Sequence, residues 1–167
     1  MKNILKNEKG DLLIIFAFTF AILLGFVAFI IDIGFAYMQR SSMMEIAQVM
    51  RDTRFTKDAS ITDLILHSNY PGYTAFTYLV DQGRENGFKG EISITYNEYK
   101  TTKNERRYNI DIKLQDTYNC TTMKLFGIDS FPITVEVAGS GYKEKYGGTL
   151  WYPPYIDNGT RVSPAIE

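Results

Sequence analysis

The fold is decided by one stretch of sequence, LLIIFAFTFAILLGFVAFII, which runs from Leu12 to Ile31 and contains no charged residue. An α-helix of twenty residues is about 30 Å long at about 1.5 Å per residue, which matches the hydrocarbon thickness of a bilayer. Because a helix satisfies its own backbone hydrogen bonds, it can cross that layer. The stretch therefore predicts a transmembrane helix over residues 11–38, preceded by a short basic leader over residues 1–10.

Two other interpretations of the apolar stretch fit the sequence less well. A cleaved secretory signal has a shorter apolar core and a small-x-small cleavage site soon after it, whereas here Asp32, Ile33 and Gly34 follow. A buried helix of a soluble protein shows a polar face, whereas this stretch is apolar all round except for Thr19. We therefore expect a membrane span.

The distribution of basic residues predicts the orientation of that span. Three lysines lie in the leader, whereas Arg40 is the nearest basic residue on the other side of the apolar stretch. The positive-inside rule then places the N-terminus in the cytoplasm and the C-terminal domain outside it. The chain is predicted to be a single-pass membrane protein with an exported domain.

Composition argues against several classes of function. The formal net charge is −1 over 167 residues, which does not favour nucleic acid as a partner. His67 is the single histidine, so a two-histidine metal site is excluded and a nucleophile–histidine pair is not expected. The single cysteine, Cys120, is interpreted as a buried apolar residue, with an intermolecular disulfide as the alternative. No catalytic residue, metal or cofactor is predicted, and the protein is not expected to be an enzyme.

Beyond the span, residues 39–57 keep a helical pattern and are predicted to extend the helix outside the membrane. Apolar residues recur there at helical spacing, in the stripe Met43, Ile46, Ala47 and Met50. The stripe packs either on the chain's own domain or on another subunit, since methionine adapts to irregular apolar surfaces. Met43 and Met50 are therefore candidate subunit contacts.

Residues 58–141 are predicted to form an exported α/β head. Two short helices are expected between Asp58 and Gly87, separated by a break at Pro71. Alternating apolar and polar residues then predict three strands, near residues 92–97, 108–114 and 131–138. One face of this small antiparallel meander is apolar, and the helices are expected to cover it. The predicted fold class is α+β.

The tail over residues 142–167 is rich in aromatic residues, glycine and proline, and it is predicted to be a loop. Aromatic residues on loops either pack over a small core or form a binding surface. The candidates for surface binding are Trp151, Tyr152 and Tyr155.

Two segments of the chain carry further motifs. In the first, residues 8–47, a glycine precedes an apolar helix that ends in Asp-x-Gly and continues into an aromatic and basic helix, with Gly10, Asp32, Gly34, Tyr37 and Arg40 at these positions. In the second, LFGIDSFPITVEVAGS over residues 125–140, a Phe-Gly motif introduces an alternating strand that ends in small residues. The two segments resemble pilus-assembly proteins of the Tad (Flp) family, of the TadE and TadG type, and together they cover about a third of the chain.

The resemblance implies a pilin-like subunit whose N-terminal helix lies in the membrane before assembly. Its implied partners are the membrane, other pilin-like subunits and the pilus-assembly machinery, together with a prepilin peptidase that cuts between Gly10 and Asp11. The resemblance also makes Asp32 and Gly34 candidate subunit contacts. The alternative for Asp32 is a solvated acid at the membrane interface.

One departure from the family restricts the predicted role. Pilins of this class carry glutamate at the fifth position of the mature chain, where this chain has Ile15. Without that acid, a terminal ammonium drawn into a filament core lacks its partner and is costly to bury. We therefore predict a minor pilin-like subunit or an uncleaved assembly factor. A membrane-anchored surface-binding module, using the aromatic tail to contact carbohydrate or another adhesive target, is the alternative.

Overall fold

The computed structural model describes residues 8–53, 68–102, 105–144 and 157–166. These residues form an α+β fold with a long N-terminal helix, a second helix and a four-stranded sheet. Several predictions lie outside the described residues: the first of the two short helices, the assignment of His67, and the surface-binding candidates Trp151, Tyr152 and Tyr155.

Helix α1 runs without a break from Glu8 to Asp52. It is long and apolar enough to cross a membrane, and only 6 % of its most apolar window is buried. A core helix of a soluble protein would be mostly covered, so this interpretation is contradicted. A single N-terminal helix of this kind agrees with the predicted span and with its predicted continuation beyond the apolar stretch.

The chain divides into two compact units. The first contains Met1–Met38 together with Tyr118–Phe131, and the second contains Gln39–Thr117 together with Pro132–Glu167. The first unit therefore combines the apolar part of α1 with a segment that is distant in sequence.

In the second unit, helix α2 (Pro71–Glu85) follows the predicted break. Pro71 lies in its first turn, where the missing backbone N–H has no helical partner to lose. Ala75, Leu79 and Gly83 recur every four residues and form its buried face. A Cβ atom on Gly83 would lie 2.8 Å from Ile92 Cδ1 and 3.2 Å from Met50 Sδ, so glycine permits this close packing.

The sheet contains β1 (Glu91–Thr101), β2 (Glu105–Asn119), β3 (Ser130–Glu144) and β4 (Gly159–Ser163), in the order β3-β2-β1-β4. Strand β1 pairs antiparallel with both β2 and β4, with Ile94 opposite Ile112 on one side and Arg161 on the other. The alternation that predicted the first three strands matches their buried faces, so these strands are confirmed.

Strand β4 corrects the prediction that the whole tail is a loop. Its sequence, GTRVS, contains one large apolar residue, Val162, and that side chain is exposed. The strand is held by backbone pairing with β1 rather than by an alternating apolar face, so no sequence pattern marks it.

The methionine stripe of α1 packs within the second unit, which is called the head from here on. Met43, Ala47 and Met50 are all buried. Met50 lines a small cavity with Leu79 of α2 and Tyr108 of β2. The interpretation that the stripe packs on the chain's own domain is confirmed for these residues, whereas a subunit contact through Met43 and Met50 stays a prediction.

Candidate functional site

In the first unit, the carboxylate of Asp32 is enclosed by a single loop. Asp32 directly follows the apolar stretch of α1 and is 0 % exposed. Its Oδ1 accepts hydrogen bonds from the Tyr118 hydroxyl and the Thr121 backbone N–H, both at 2.9 Å. Its Oδ2 accepts hydrogen bonds from the backbone N–H groups of Thr122 at 3.0 Å and Met123 at 2.6 Å. Four donors from the end of β2 and the following turn therefore surround one acid.

The hydroxyl of Thr122 adds a second link to α1. Thr122 Oγ1 lies 2.9 Å from Asp32 Oδ2 and also 2.9 Å from the backbone oxygen of Ala28. A hydroxyl has one proton, so it donates to one of these acceptors at a time. Both acceptors lie on α1, one turn apart, and either bond holds the loop against the helix.

The local sequence explains why the loop presents its N–H groups to a carboxylate. A short 3-10 helix covers Met123–Phe126, and Thr122 is its N-cap. The first N–H groups of a helix have no partner within it and attract an anion. Gly127 ends the turn with φ 82°, a left-handed conformation that glycine adopts without a Cβ clash. Asp32 thus occupies the anion position at the start of this turn.

The structure corrects the alternative in which Asp32 is a solvated acid. Burial of a carboxylate is tolerated when hydrogen bonds replace its water, and the loop supplies them. The partners of Asp32 follow it by 86 to 91 residues in the chain, so the local pattern around Asp32 did not reveal them. The Phe-Gly motif at Phe126 and Gly127 was the only signal for this turn.

Two titratable neighbours of Asp32 are held in their neutral forms. Burial, followed by the hydrogen bond to Asp32, raises the pKa of the Tyr118 phenol, which therefore remains a donor. Burial, followed by the charge of Asp32, raises the pKa of the Cys120 thiol. Since the thiolate is the reactive form, Cys120 is a buried and unreactive residue. This confirms its interpretation as a buried apolar residue.

The other site predictions in α1 fall on residues that the fold leaves unexplained. Gly10 and Gly34 both lie in α1, and a Cβ atom on either would meet nothing within 4 Å. A glycine inside a helix costs about 0.5–1 kcal/mol relative to alanine, so neither packing nor helix stability accounts for Gly34. The cleavage site between Gly10 and Asp11 and the subunit contact through Asp32 and Gly34 stay predictions.

The second unit contains a buried ion pair on the inner face of the sheet. Glu98 of β1 and Arg106 of β2 are both buried. Arg106 Nε lies 2.7 Å from Glu98 Oε1, and Arg106 Nη2 lies 2.8 Å from Oε2, which is a bidentate geometry. The hydroxyls of Tyr96 and Thr101 donate to the same carboxylate. The sequence patterns ended at Tyr96 and began again at Tyr108, so they missed this pair.

Opposing effects set the pKa of Glu98. Burial raises this pKa. Hydrogen bonds from Arg106 and Thr101, together with the positive charge of Arg106, lower it by more than burial raises it. The pKa of Glu98 in the folded chain therefore lies below the ordinary value of 4.5. Since every partner of this carboxylate is part of the sheet, we assign the pair a structural role.

We expect acid to destabilise the second unit through Glu98. A lowered folded-state pKa stabilises the fold above the unfolded-state pKa, and this contribution is lost as the pH falls through the folded-state pKa. Unfolding of the full chain should therefore require less urea as the pH falls below 4.5, the ordinary pKa of glutamate. In Glu98→Gln this dependence should be weaker, whereas Glu136→Gln, which changes an exposed carboxylate, should retain it. Equal pH dependence in Glu98→Gln and the parent chain would contradict the assignment.

Neither clusters of metal-binding side chains nor comparisons with known proteins indicate a further site in the described residues. In the described parts of the chain, no group of three or more His, Cys, Asp or Glu side chains is placed to hold a metal ion. No protein-family model, curated protein or solved structure matches the chain. The resemblance to the Tad family therefore stays a prediction that depends on the residues quoted above.

Proposed function

We propose that the protein is a membrane-anchored structural component of a Tad-type pilus or a related secretion apparatus. It acts as a minor pilin-like subunit or as an anchored assembly factor, with its N-terminus in the cytoplasm and its head exported. The exposed apolar surface of α1 carries this proposal. From Leu12 to Ile31 nearly all large apolar side chains stay exposed, whereas Met43 and Met50 are buried in the head.

Such a surface requires a partner that is itself apolar. Exposed apolar patches of this extent are rare on soluble monomers and mark contact with membranes or other proteins. Lipid and the same helix of a neighbouring subunit are chemically similar surroundings, so one helix can exchange the first for the second. This exchange is what a pilin-like subunit requires as it moves from the bilayer into an assembly.

Two residues of α1 refine the proposal. A Cβ atom on Gly10 would meet nothing within 4 Å, and the resemblance to the Tad family implies that a prepilin peptidase recognises this glycine. Ile15 is exposed and apolar at the position where a stacked pilin needs an acid. A subunit that occurs once in an assembly, at its tip or base, does not need the acid to neutralise a neighbour's terminal ammonium.

We expect a prepilin peptidase to cut the chain between Gly10 and Asp11. Co-expression of the full chain with the peptidase should remove residues 1–10, and intact-mass spectrometry should show the loss. Gly10→Val should block the cut because a branched side chain would replace the hydrogen at the cleaved residue. Gly34→Val is the matched control, since it makes the same change on an open part of the same helix, and it should be cut normally. A reference prepilin should be cut in the same experiment. If it is cut and the parent chain is not, the pilin-like subunit is excluded and the uncleaved assembly factor is the form of the proposal that stands.

A genetic test addresses both forms of the proposal. Loss of the gene should reduce or abolish surface pili, and the full chain should restore them. Normal pili in its absence would contradict the proposal.

Replacing Trp151, Tyr152 and Tyr155 with alanine should leave assembly of the pili intact. Lost adhesion with normal pili would instead identify the tail as a surface-binding module. Deleting the whole tail is unsuitable because it removes β4.

A further inference from the structure

The loop that encloses Asp32 carries a cluster of exposed apolar side chains. We define the loop tip as residues 124–128. Three of its five residues are apolar and exposed: Leu125 at 84 %, Phe126 at 55 % and Ile128 at 43 %. Single exposed apolar residues are common, but a compact cluster indicates an apolar partner.

The loop tip lies beside the apolar stretch of α1. A Cβ atom on Gly25 would lie 3.5 Å from Phe126 Cζ, which is van der Waals contact. Gly25 is six residues before Ile31, the last residue of the stretch, and at about 1.5 Å per residue it lies about 9 Å inside the apolar end. Phe126 therefore lies at a level of the helix that acyl chains surround when α1 spans a bilayer.

The backbone of the loop suits a surrounding without water. The N–H groups of Thr121, Thr122 and Met123 donate to Asp32. Further N–H groups donate to backbone oxygens within the loop, namely those of Cys120, Leu125, Gly127 and Ile128. Irregular backbone can enter hydrocarbon only when its polar groups find partners in the protein, and here seven N–H groups do so.

We propose that the loop tip is a second membrane-inserting element, which lies in the leaflet on the head side of α1 with lipid acyl chains as its partner. This placement rests on the proposed span of α1. Its depth of about 9 Å agrees with the insertion of about 5–10 Å that is typical of interfacial segments. Lys124 is exposed, and its long side chain can carry the ammonium group back to the headgroups. Asp32 is then the anchor that fixes the inserted loop to the helix.

The test uses the full chain with Cys120→Ala and one added cysteine, in phosphatidylcholine vesicles holding less than one chain each on average. Leu125→Cys probes the loop tip, Phe16→Cys probes the span, and Val162→Cys probes an exposed position of the head. A membrane-impermeant maleimide should modify Leu125→Cys at least about tenfold more slowly than Val162→Cys, because hydrocarbon disfavours the thiolate. A fluorophore on Leu125→Cys should be quenched by lipids that carry a nitroxide on the acyl chain.

Each outcome of this experiment has one meaning. Rapid modification of Leu125→Cys with Phe16→Cys protected would overturn the insertion of the loop tip and leave the span intact. Rapid modification of both cysteines would overturn the membrane span of α1, and with it the proposal that α1 attaches the chain to the membrane. Slow modification of Leu125→Cys without lipid quenching would show that protein covers the tip, and would also overturn the inference. Ile128→Cys should behave like Leu125→Cys, and amide exchange at residues 121–123 checks that each variant keeps its contacts with Asp32.

Discussion

Asp32→Ala is expected to release the loop between β2 and β3, residues 120–129, from helix α1. The substitution leaves the N–H groups of Thr121, Thr122 and Met123 without their acceptor, and a buried donor without a partner is costly. Amide hydrogen exchange of these three residues should therefore accelerate by at least about tenfold, since local opening becomes easier. The measurement is exchange followed by mass spectrometry on the full chain in lipid nanodiscs.

Two controls define what the Asp32 result means. Asp129→Asn changes an exposed carboxylate in the same loop and should leave the exchange unchanged. Tyr118→Phe removes one donor to Asp32 and keeps the carboxylate, so it should give a smaller acceleration than Asp32→Ala. Unchanged exchange in Asp32→Ala would show that the carboxylate does not hold the loop.

Arg106→Met is expected to destabilise the head by about 3–5 kcal/mol, because it leaves the charge of Glu98 buried without its partner. The free energy of unfolding should be measured by urea titration of the full chain, with strand circular dichroism as the signal. Amide exchange in β1 and β2 should accelerate together with the loss of stability, since the two residues join these strands.

Two further variants distinguish the cost of a buried, unpaired charge from the cost of losing the contact between Glu98 and Arg106. Glu98→Leu combined with Arg106→Met removes both charges and should recover most of the stability that Arg106→Met loses. Lys113→Met removes the cation of an exposed pair with Glu136 and should change stability by less than about 1 kcal/mol. A double variant as unstable as Arg106→Met would contradict this account.

The elements that could be predicted are those that local patterns specify. The apolar stretch of α1 and the alternating strands β1, β2 and β3 depend on the spacing of neighbouring residues, which the sequence displays directly. The methionine stripe was visible for the same reason, although its spacing did not distinguish the chain's own head from another subunit. Period and length thus account for most of the described fold.

The elements that could not be predicted depend on partners far away in the chain. Asp32 was recognised as a candidate, but its donors lie 86 or more residues later, in a loop that gave little signal of its own. Glu98 and Arg106 lie on the inner face of the sheet, at positions where the alternating pattern calls for apolar residues. Each charge is tolerated there because the other is present. Strand β4 has no periodic apolar pattern because it is held by backbone pairing with β1 and by side-chain hydrogen bonds from Thr95 and Arg84.

On the proposed topology, in which the head is exported, the position of β4 also determines the order in which the strands of the head can pair. Strand β1 pairs with β2 on one side and with β4 on the other. Residues Ile92 and Ser163, which face each other across the second pair, are about 70 residues apart, so this pairing closes late. Until Gly159–Ser163 have crossed the membrane, one edge of β1 presents unpaired backbone groups that another strand can occupy. Transit of the last strand is therefore the step at which a strand from another chain can compete with the native one.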